Sequence, residues 1–208
     1  MPTIDMPTNA ERFQFHHLVT GWQAFGNSRF GWWPDFAIGG SENLWQQLLA
    51  QVTLQTGTVQ VFGKRHSIPR LQAWYGPKPY RYSGETLPAQ ALPPLLDSLM
   101  QQCMERAQAR FDSVLVNYYR DGRDHMGWHS DDEPELGANP VIASLSLGAA
   151  RDFDLRQRQS KQRIRVSLTD GSLLVMAGRC QHEWQHALPK RLRISEPRLN
   201  LTFRNLAG

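Results

Sequence analysis

The second half of the chain is a series of short segments with alternating side-chain polarity, and glycine, aspartate and proline lie between them. Apolar and polar residues that alternate with period 2 predict strands, and turn residues at this spacing are typical of an antiparallel sandwich or jelly roll. This pattern restricts the fold more than any other feature. The predicted strands are Ser113–Tyr119, 141–147, 153–156, 163–168, 172–176, 184–188 and 199–203.

The first half has a helical period instead. Ser41 precedes a stripe of apolar residues over 44–52, and Pro93 and Pro94 open a longer amphipathic segment over 95–107. Both stripes predict helices that cover a sheet face. We therefore expect one α+β domain over 1–208, with a jelly-roll core over 89–208 and an N-terminal α/β extension over 1–88 that flanks it.

Length and composition are those of an ordinary globular domain, with 208 residues, 40% of them hydrophobic. No apolar run approaches the roughly 18 residues of a membrane span, and the N-terminus has no signal-peptide pattern. Cys103 and Cys180 form no CxxC pair, so we expect no disulfide framework and a reducing compartment. The prediction is a monomer in the cytoplasm, near the nucleoid if bacterial, or in a eukaryotic nucleus, with no membrane partner.

The formal net charge is +4, but the cations are unevenly placed. Residues 151–165 contain six cations against two acids, and residues 64–81 contain five cations and no acid. Clusters of this kind suit a nucleic-acid phosphate backbone, and they are equally compatible with a solvated basic face.

Two of the predicted strands carry an unusual polar face. On 198–204 the polar positions alternate with leucine and phenylalanine, and on 113–119 one face contains an amide and a phenol. The polar residues are Asn117, Tyr119, Arg198, Asn200, Thr202 and Arg204. If these faces point to solvent, the strands are ordinary amphipathic ones. If they point inward, the arginines need an anionic partner, and a dicarboxylate would suit their bidentate geometry.

A further pattern is H-x-D…H, formed by His129, Asp131 and His186. Two imidazoles and one carboxylate on one side of a metal form the facial triad of non-heme Fe(II) oxygenases. Zinc pairs at i, i+4 are an alternative if the segments are helical: His125 with His129, or His182 with His186. The neighbouring glycines and the strand-like 184–188 argue against helices there.

Several sequence runs, in order and at matching spacing, resemble the AlkB family of Fe(II)/2-oxoglutarate-dependent nucleic-acid dealkylases. The resemblance covers about residues 60–204 and is greatest to the branch with the animal DNA-repair homologues 2 and 3. It implies a double-stranded β-helix, or jelly roll, preceded by a nucleotide-recognition lid. The runs are VNYYRDG at 116–122, WHSDDE at 128–133, IASLSLG at 142–148, RDF at 151–153, GSLL at 171–174, WQH at 184–186 and PRLNLTFR at 197–204.

The resemblance also implies roles for individual residues. The implied iron ligands are His129, Asp131 and His186. The implied 2-oxoglutarate site consists of Arg198 and Tyr119 at the distal carboxylate, Asn200 as support for Arg198, and Asn117 and Arg204 near the chelating end.

The implied reaction is oxidative demethylation of N-alkylated DNA bases, such as 1-methyladenine and 3-methylcytosine. Fe(II), O₂ and 2-oxoglutarate would be required, and succinate, CO₂ and formaldehyde would be the products. The chemistry is oxidative because the N-methyl carbon is no useful electrophile. Two alternatives stay open: an RNA demethylase of the same family, and a jelly-roll nucleic-acid-binding module without catalysis.

Single- and double-stranded DNA are both candidate partners, because the target base has to be flipped out of a duplex. Phe62 resembles the tip of an apolar finger that enters the base stack, although 59–62 could instead be a core strand. The remaining candidate nucleic-acid contacts belong to the lid, apart from the carboxylate of Glu133, which would favour a cationic base. The lid residues are Arg70, Trp74, Tyr80, Tyr82 and Ser83.

Overall fold

The computed structural model describes residues 15–37, 41–61, 64–82, 85–160 and 162–207. Its helices are α1 (Ser41–Gln51), α2 (Pro94–Ala107) and α3 (Cys180–Glu183), and a 3₁₀ turn spans Pro134–Leu136. Its strands are β1 (Phe15–His16), β2 (Gly21–Phe25), β3 (Ser28–Trp33), β4 (Gln55–Val61), β5 (Lys64–Tyr75), β6 (Tyr80–Tyr82), β7 (Glu85–Leu87), β8 (Ser113–Tyr119), β9 (Met126–His129), β10 (Ile142–Gly148), β11 (Arg151–Gln157), β12 (Arg163–Leu168), β13 (Leu173–Gly178), β14 (Trp184–Leu188) and β15 (Arg198–Arg204).

The strands form two main sheets and a separate hairpin. The larger sheet has the order β2-β3-β13-β10-β15-β8-β5-β4, and the smaller has the order β1-β12-β11-β14-β9. All pairings within these sheets are antiparallel except that of β1 with β12. The predicted jelly roll is confirmed, and β6 pairs with β7 outside both sheets.

Two apolar cores lie on opposite faces of the larger sheet. Between the two sheets, Leu115 and Met176 pack in one cluster with Leu155 and Val166 of the smaller sheet. On the outer face, helices α1 and α2 cover a second cluster. Strands of the larger sheet are therefore buried on both sides, and a polar side chain on the inner face has to lie in a cavity or find a partner.

All seven strands predicted from the alternation are present, within one to two residues at their ends, and both predicted helices are present. Helix α2 starts at Pro94 after the extended Pro93, and Gln108 caps its end in a left-handed conformation with φ 52°. No helix among the described residues is long and apolar enough to cross a bilayer.

The N-terminal extension contributes strands to both edges of the larger sheet. Strand β3 pairs with β13 over six residue pairs, and β5 pairs with β8 over five. The segment before residue 88 therefore supplies four strands of the larger sheet, two at each edge, so it is continuous with the jelly roll. Edge strands of the core leave backbone N–H and C=O groups unpaired, and these additional strands satisfy them.

Candidate metal centre and cosubstrate pocket

Two neighbouring strands of the smaller sheet bring the histidines of the H-x-D…H pattern together. His129 ends β9, and it is the register partner of His186 on β14, next to a bulge. The two Nε2 atoms lie 3.1 Å apart, and Nε2 of His129 lies 3.7 Å from Oδ1 of Asp131. One ligand atom from each of the three residues lies within 4.8 Å of the others. The sequence pattern therefore forms one compact cluster.

The protonation states of the imidazoles suit metal binding. Nδ1 of His129 lies 2.8 Å from the carbonyl oxygen of Gly127, an arrangement that places the proton on Nδ1 and leaves the Nε2 lone pair for a metal. Burial lowers the pKa of both imidazoles, and that of His186 falls to about 3. Both rings are neutral at physiological pH, as a metal ligand must be.

The carboxylate of Asp131 is buried but charged. Burial would raise its pKa, but Arg204, whose Nη2 lies 3.2 Å from Oδ1, and the two imidazoles outweigh this and bring the pKa to about 2. The backbone N–H of Asp131 donates to Oε1 of Gln181, which holds the segment after β9. Two neutral nitrogens and one anionic oxygen that converge at a cavity fit Fe(II) with open coordination positions.

A single cavity adjoins this cluster and contains every residue assigned above to iron or 2-oxoglutarate. One wall is polar and comes from β8 and β15, and the other is mainly apolar. The lining residues are Asn117, Tyr119, Met126, His129, Asp131, Ser144, Phe153, Met176, His186, Leu188, Arg198, Asn200, Thr202 and Arg204. The polar faces of β8 and β15 therefore point inward, and the alternative of solvent-facing strands is wrong.

Arg198 provides the cation of the polar wall. Its side chain is 1% exposed, and Nη2 donates to Oγ of Ser146 at 2.8 Å. Nε and Nη1 are buried without a hydrogen-bond partner, and burial lowers the pKa of the guanidinium to about 10. The guanidinium lies 5.3 Å from the ring centroid of Tyr119. Unused donors on a buried cation fit an anionic ligand, such as the distal carboxylate of 2-oxoglutarate.

The expected support of Arg198 by Asn200 does not take the form of a direct hydrogen bond in this structure. The amide of Asn200 donates to Oγ of Ser144 and to the carbonyl oxygen of Leu145, so Ser146 is the residue that bonds Arg198. Asn200 nevertheless lines the cavity. Arg198 and Asn200 lie two residues apart on the same face of β15, and each bonds a serine two positions away from its own register partner on β10, since Gly148 is opposite Arg198 and Ser146 is opposite Asn200.

Arg204 connects the metal cluster to Tyr80, one of the residues predicted to form the lid. Its Nη2 pairs with Asp131, and its Nη1 donates to the hydroxyl of Tyr80 at 3.1 Å. The ring of Tyr80 stacks on Trp74 with centroids 4.4 Å apart and planes at 18°. Trp74 and Tyr80 are both almost fully buried, and the indole N–H of Trp74 donates to the carbonyl of Lys78. In this structure the two rings are packing elements, and their contact with a base stays a prediction.

The other predicted nucleic-acid contacts lie in different places. Arg70 is buried, and its Nε donates to Oδ1 of Asn117 at 2.8 Å, so it adjoins the cavity wall. Burial raises the pKa of Glu133, and its Oε2 is buried without a hydrogen-bond partner. Phe62 and Ser83 lie outside the described residues, and Tyr82 is described only as the backbone partner of Glu85.

The zinc alternatives are not supported. His125 precedes β9, where the chain is extended, and His182 lies in α3 with its ring against the carbonyl of Ala138. Among the described residues the only group of histidine, cysteine and acidic ligands close enough for a metal is His129, Asp131 and His186.

Three residues of the site were not predicted from the sequence. Ser144 and Ser146 alternate with apolar residues on β10, and this is the same period-2 signal that identified β15. Gln181 carries no comparable signal, because its role depends on the approach of α3 to the segment after β9.

Comparison with known proteins agrees with this geometry. Residues 38–204 match the family model described as the 2OG-Fe(II) oxygenase superfamily. The chain is 41% identical over 179 residues to DNA oxidative demethylase ALKBH2 of Mus musculus, covering 80% of this chain and 75% of the relative. It is 45% identical over 148 residues to alkB homolog 3 of the same species, covering 66% of this chain and 52% of the relative.

The chain thus spans about half the length of that alkB homolog 3 relative. The solved structure of OsALKBH1 superposes with a TM-score of 0.61 at 16% identity, covering 88% of this chain and 99% of that one, which supports the fold. Fe(II), 2-oxoglutarate and O₂ are the cofactors that the matched family implies, and the cavity has residues for the first two. On this evidence the chain belongs to the 2OG-Fe(II) oxygenase superfamily and, within it, to the AlkB family.

Proposed function

We propose that this protein demethylates N-alkylated bases in DNA oxidatively, with 2-oxoglutarate converted to succinate and CO₂ and the methyl group released as formaldehyde. The observation that carries the proposal is the single cavity in which the His129, Asp131 and His186 cluster adjoins the buried, partly unpartnered Arg198. The relatives named DNA oxidative demethylase support the choice of DNA.

The metal cluster, Arg198 and the apolar residues of the cavity have different roles in this reaction. The metal, when bound, supplies the oxidation of a C–H bond by O₂, coupled to decarboxylation of 2-oxoglutarate. Arg198 binds the distal carboxylate and so orients the oxoacid end toward the cluster. Met126, Phe153, Met176 and Leu188 line the remainder and keep water away from the reacting atoms. Collapse of the hydroxylated N-methyl group then needs no further residue.

Substrate selection would rest on charge. Bases methylated at a ring nitrogen, such as 1-methyladenine and 3-methylcytosine, are cations, and a carboxylate in a low-dielectric site favours a cation over a neutral base. Glu133 is suited to this role, because its Oε2 is buried and has no hydrogen-bond partner. The carboxyl group of Glu133 also lies close enough to Asp131 and Arg204 to interact with their charges. Undamaged bases would also be discriminated against by the cost of flipping a paired base.

The proposed partner is DNA, either single- or double-stranded, with RNA as a further substrate to be compared, and the active species is proposed to be a monomer. Strand preference would depend on the hairpin of β4 and β5, whose register joins Val61 to Lys64. Phe62 follows Val61 in the sequence, and we propose that its ring fills the space that a flipped base leaves in a duplex.

A formaldehyde-release assay tests the proposal. Oligonucleotides with a single 1-methyladenine or 3-methylcytosine, as single-stranded DNA, duplex DNA and matched RNA, are incubated with Fe(II), 2-oxoglutarate and air. We expect one formaldehyde per repaired base, and none with Asp131→Ala or without 2-oxoglutarate. A higher kcat/KM on RNA than on DNA would mean that RNA is the substrate. Turnover that does not require iron, or no turnover on any of the oligonucleotides, would refute the proposed function.

A further inference from the structure

Besides Arg70, Arg198 and Arg204, a further buried arginine lies next to the cosubstrate pocket without lining it. Arg151, the first residue of β11, is 1% exposed. Its Nη1 donates to the carbonyl oxygen of Asp121 at 3.2 Å, and its Nη2 donates to the carbonyl oxygens of Asp124 and Pro189 at 2.9 and 2.8 Å. Asp124 lies two residues before β9 and Pro189 directly follows β14, so one guanidinium joins the segments that flank both metal-carrying strands.

These contacts leave Arg151 without a directly paired carboxylate, and the carboxylates of Asp121 and Asp124 act on its charge only from a greater distance. None of the described residues places a carboxylate within ion-pair distance of it, and its buried Nε has no hydrogen-bond partner. The carboxylates of Asp121 and Asp124 are engaged elsewhere, by Arg123 and Arg120 respectively. A cation taken out of water without a counter-charge is costly, and three carbonyl dipoles compensate it only in part.

Arg151 and Arg198 both approach the ring of Tyr119. Their guanidinium carbons lie 6.0 and 5.3 Å from its centroid. Both side chains are 1% exposed, and each has an unpartnered Nε. Two positive charges at one end of a water-poor cavity repel each other, and the repulsion is relieved when an anion binds there. At the opposite end Arg204 is paired with the carboxylate of Asp131, and the imidazole of His186 is neutral.

We propose that Arg151 is a positioning residue that makes the pocket selective for a dicarboxylate 2-oxoacid: it supplies the second positive charge behind Tyr119 and holds the segments on which Tyr119 and the metal-carrying strands rest. This inference rests on the proposed function, since it takes 2-oxoglutarate as the cosubstrate. Arg198 makes the direct contact, and Arg151 acts through Tyr119 and through its charge.

The test compares two 2-oxoacids of equal chain length, 2-oxoglutarate and 2-oxopentanoate, which lacks the distal carboxylate. Binding to Mn(II)-loaded protein is measured by isothermal titration calorimetry, without nucleic acid or turnover. We expect Arg151→Met to weaken 2-oxoglutarate binding at least about 10-fold and to change 2-oxopentanoate binding less than about 2-fold. Arg151→Lys, which keeps the charge, should restore most of the affinity for 2-oxoglutarate.

Arg165→Met is the matched control, because Arg165 lies in the same sheet, is partly exposed, pairs with Asp154 and does not line the cavity. It should leave both affinities unchanged. Should Arg151→Met fail to fold, Arg151→Gln against Arg151→Lys makes the same comparison of charge lost with charge kept. Melting curves of each variant show which are folded.

An equal loss of affinity for both oxoacids would mean that Arg151 only stabilises the structure, and the proposal would be wrong. Unchanged 2-oxoglutarate binding in Arg151→Met would also overturn it. If 2-oxoglutarate is not the cosubstrate, the part of the proposed function on which this inference rests, the result is different: wild-type protein would then bind 2-oxoglutarate no better than 2-oxopentanoate. If the wild-type protein prefers 2-oxoglutarate and Arg151→Met keeps the same preference, only the proposed role of Arg151 is refuted.

Discussion

Replacement of Arg198 by lysine tests how the cavity holds its cosubstrate. In the structure Nη2 of Arg198 is used by Ser146, whereas Nε and Nη1 are buried and unpartnered. A carboxylate that accepts from more than one guanidinium nitrogen forms a pair of charge-assisted hydrogen bonds. The ammonium of Arg198→Lys keeps the charge but offers no planar fork, so at least one of these bonds is lost.

The size of the effect follows from that one bond. A hydrogen bond to a charged group contributes about 1.5–3 kcal/mol. Since about 1.4 kcal/mol corresponds to a factor of 10, KM for 2-oxoglutarate should rise about 10- to 100-fold. The metal cluster and the chelating end of the pocket are untouched, so kcat at saturating 2-oxoglutarate should fall by less than about 3-fold.

Succinate formation measured against 2-oxoglutarate concentration, at fixed oligonucleotide, provides both constants. Arg165→Lys is the matched control, because it also removes a guanidinium fork, with bonds of 2.6 and 2.8 Å to Asp154, and neither residue lines the cavity. A KM within 2-fold of wild type for Arg198→Lys would refute the assignment of the polar wall to the distal carboxylate.

Three further predictions concern stability and reactivity. In Gly122→Ala the new Cβ would lie 1.7 Å from the backbone oxygen of Arg191, and overpacking of about 2–3 kcal/mol should lower Tm by about 5–10 °C, which circular dichroism would detect; an unchanged Tm contradicts this. Gln108→Gly removes a left-handed non-glycine residue with φ 52° and should raise Tm by about 2–4 °C, whereas Gln108→Ala should not. Burial raises the pKa of Cys103 and Cys180 to about 12, so neither thiol should react with Ellman's reagent at pH 8 until guanidinium unfolds the protein; rapid reaction of the folded protein would show an open core.

The jelly roll was predictable because its core strands are short and sharply delimited. In β8 and β15 each successive side chain belongs to a different environment, so the period of 2 is visible in the residues themselves. The pairing of β3 with β13 was not predictable in this way. It joins residues about 145 positions apart, and such pairing depends on tertiary contacts that leave no local pattern.

The functional site also contains residues that were predictable from the sequence and contacts that were not. Side chains that ligate a metal or an anion are polar residues at unusual positions, so His129, Asp131, His186 and Arg198 could be named from the sequence. Contacts that use the backbone could not. Within the described part of the chain, the hydrogen bonds of Arg151 go to carbonyl oxygens, and every residue type offers a carbonyl, so nothing in the sequence identifies its partners.

Strand β15 has no residue that faces solvent: all seven positions from Arg198 to Arg204 are buried, alternately toward the cavity and toward the helices. In a saturation mutagenesis library, tolerance along this strand should be uniformly low. Strand β12 alternates between buried and partly exposed positions and should tolerate changes at every second residue. New substrate preferences, whether selected in nature or in the laboratory, would accordingly arise outside β15, for example in the hairpin of β4 and β5, while β15 stays unchanged.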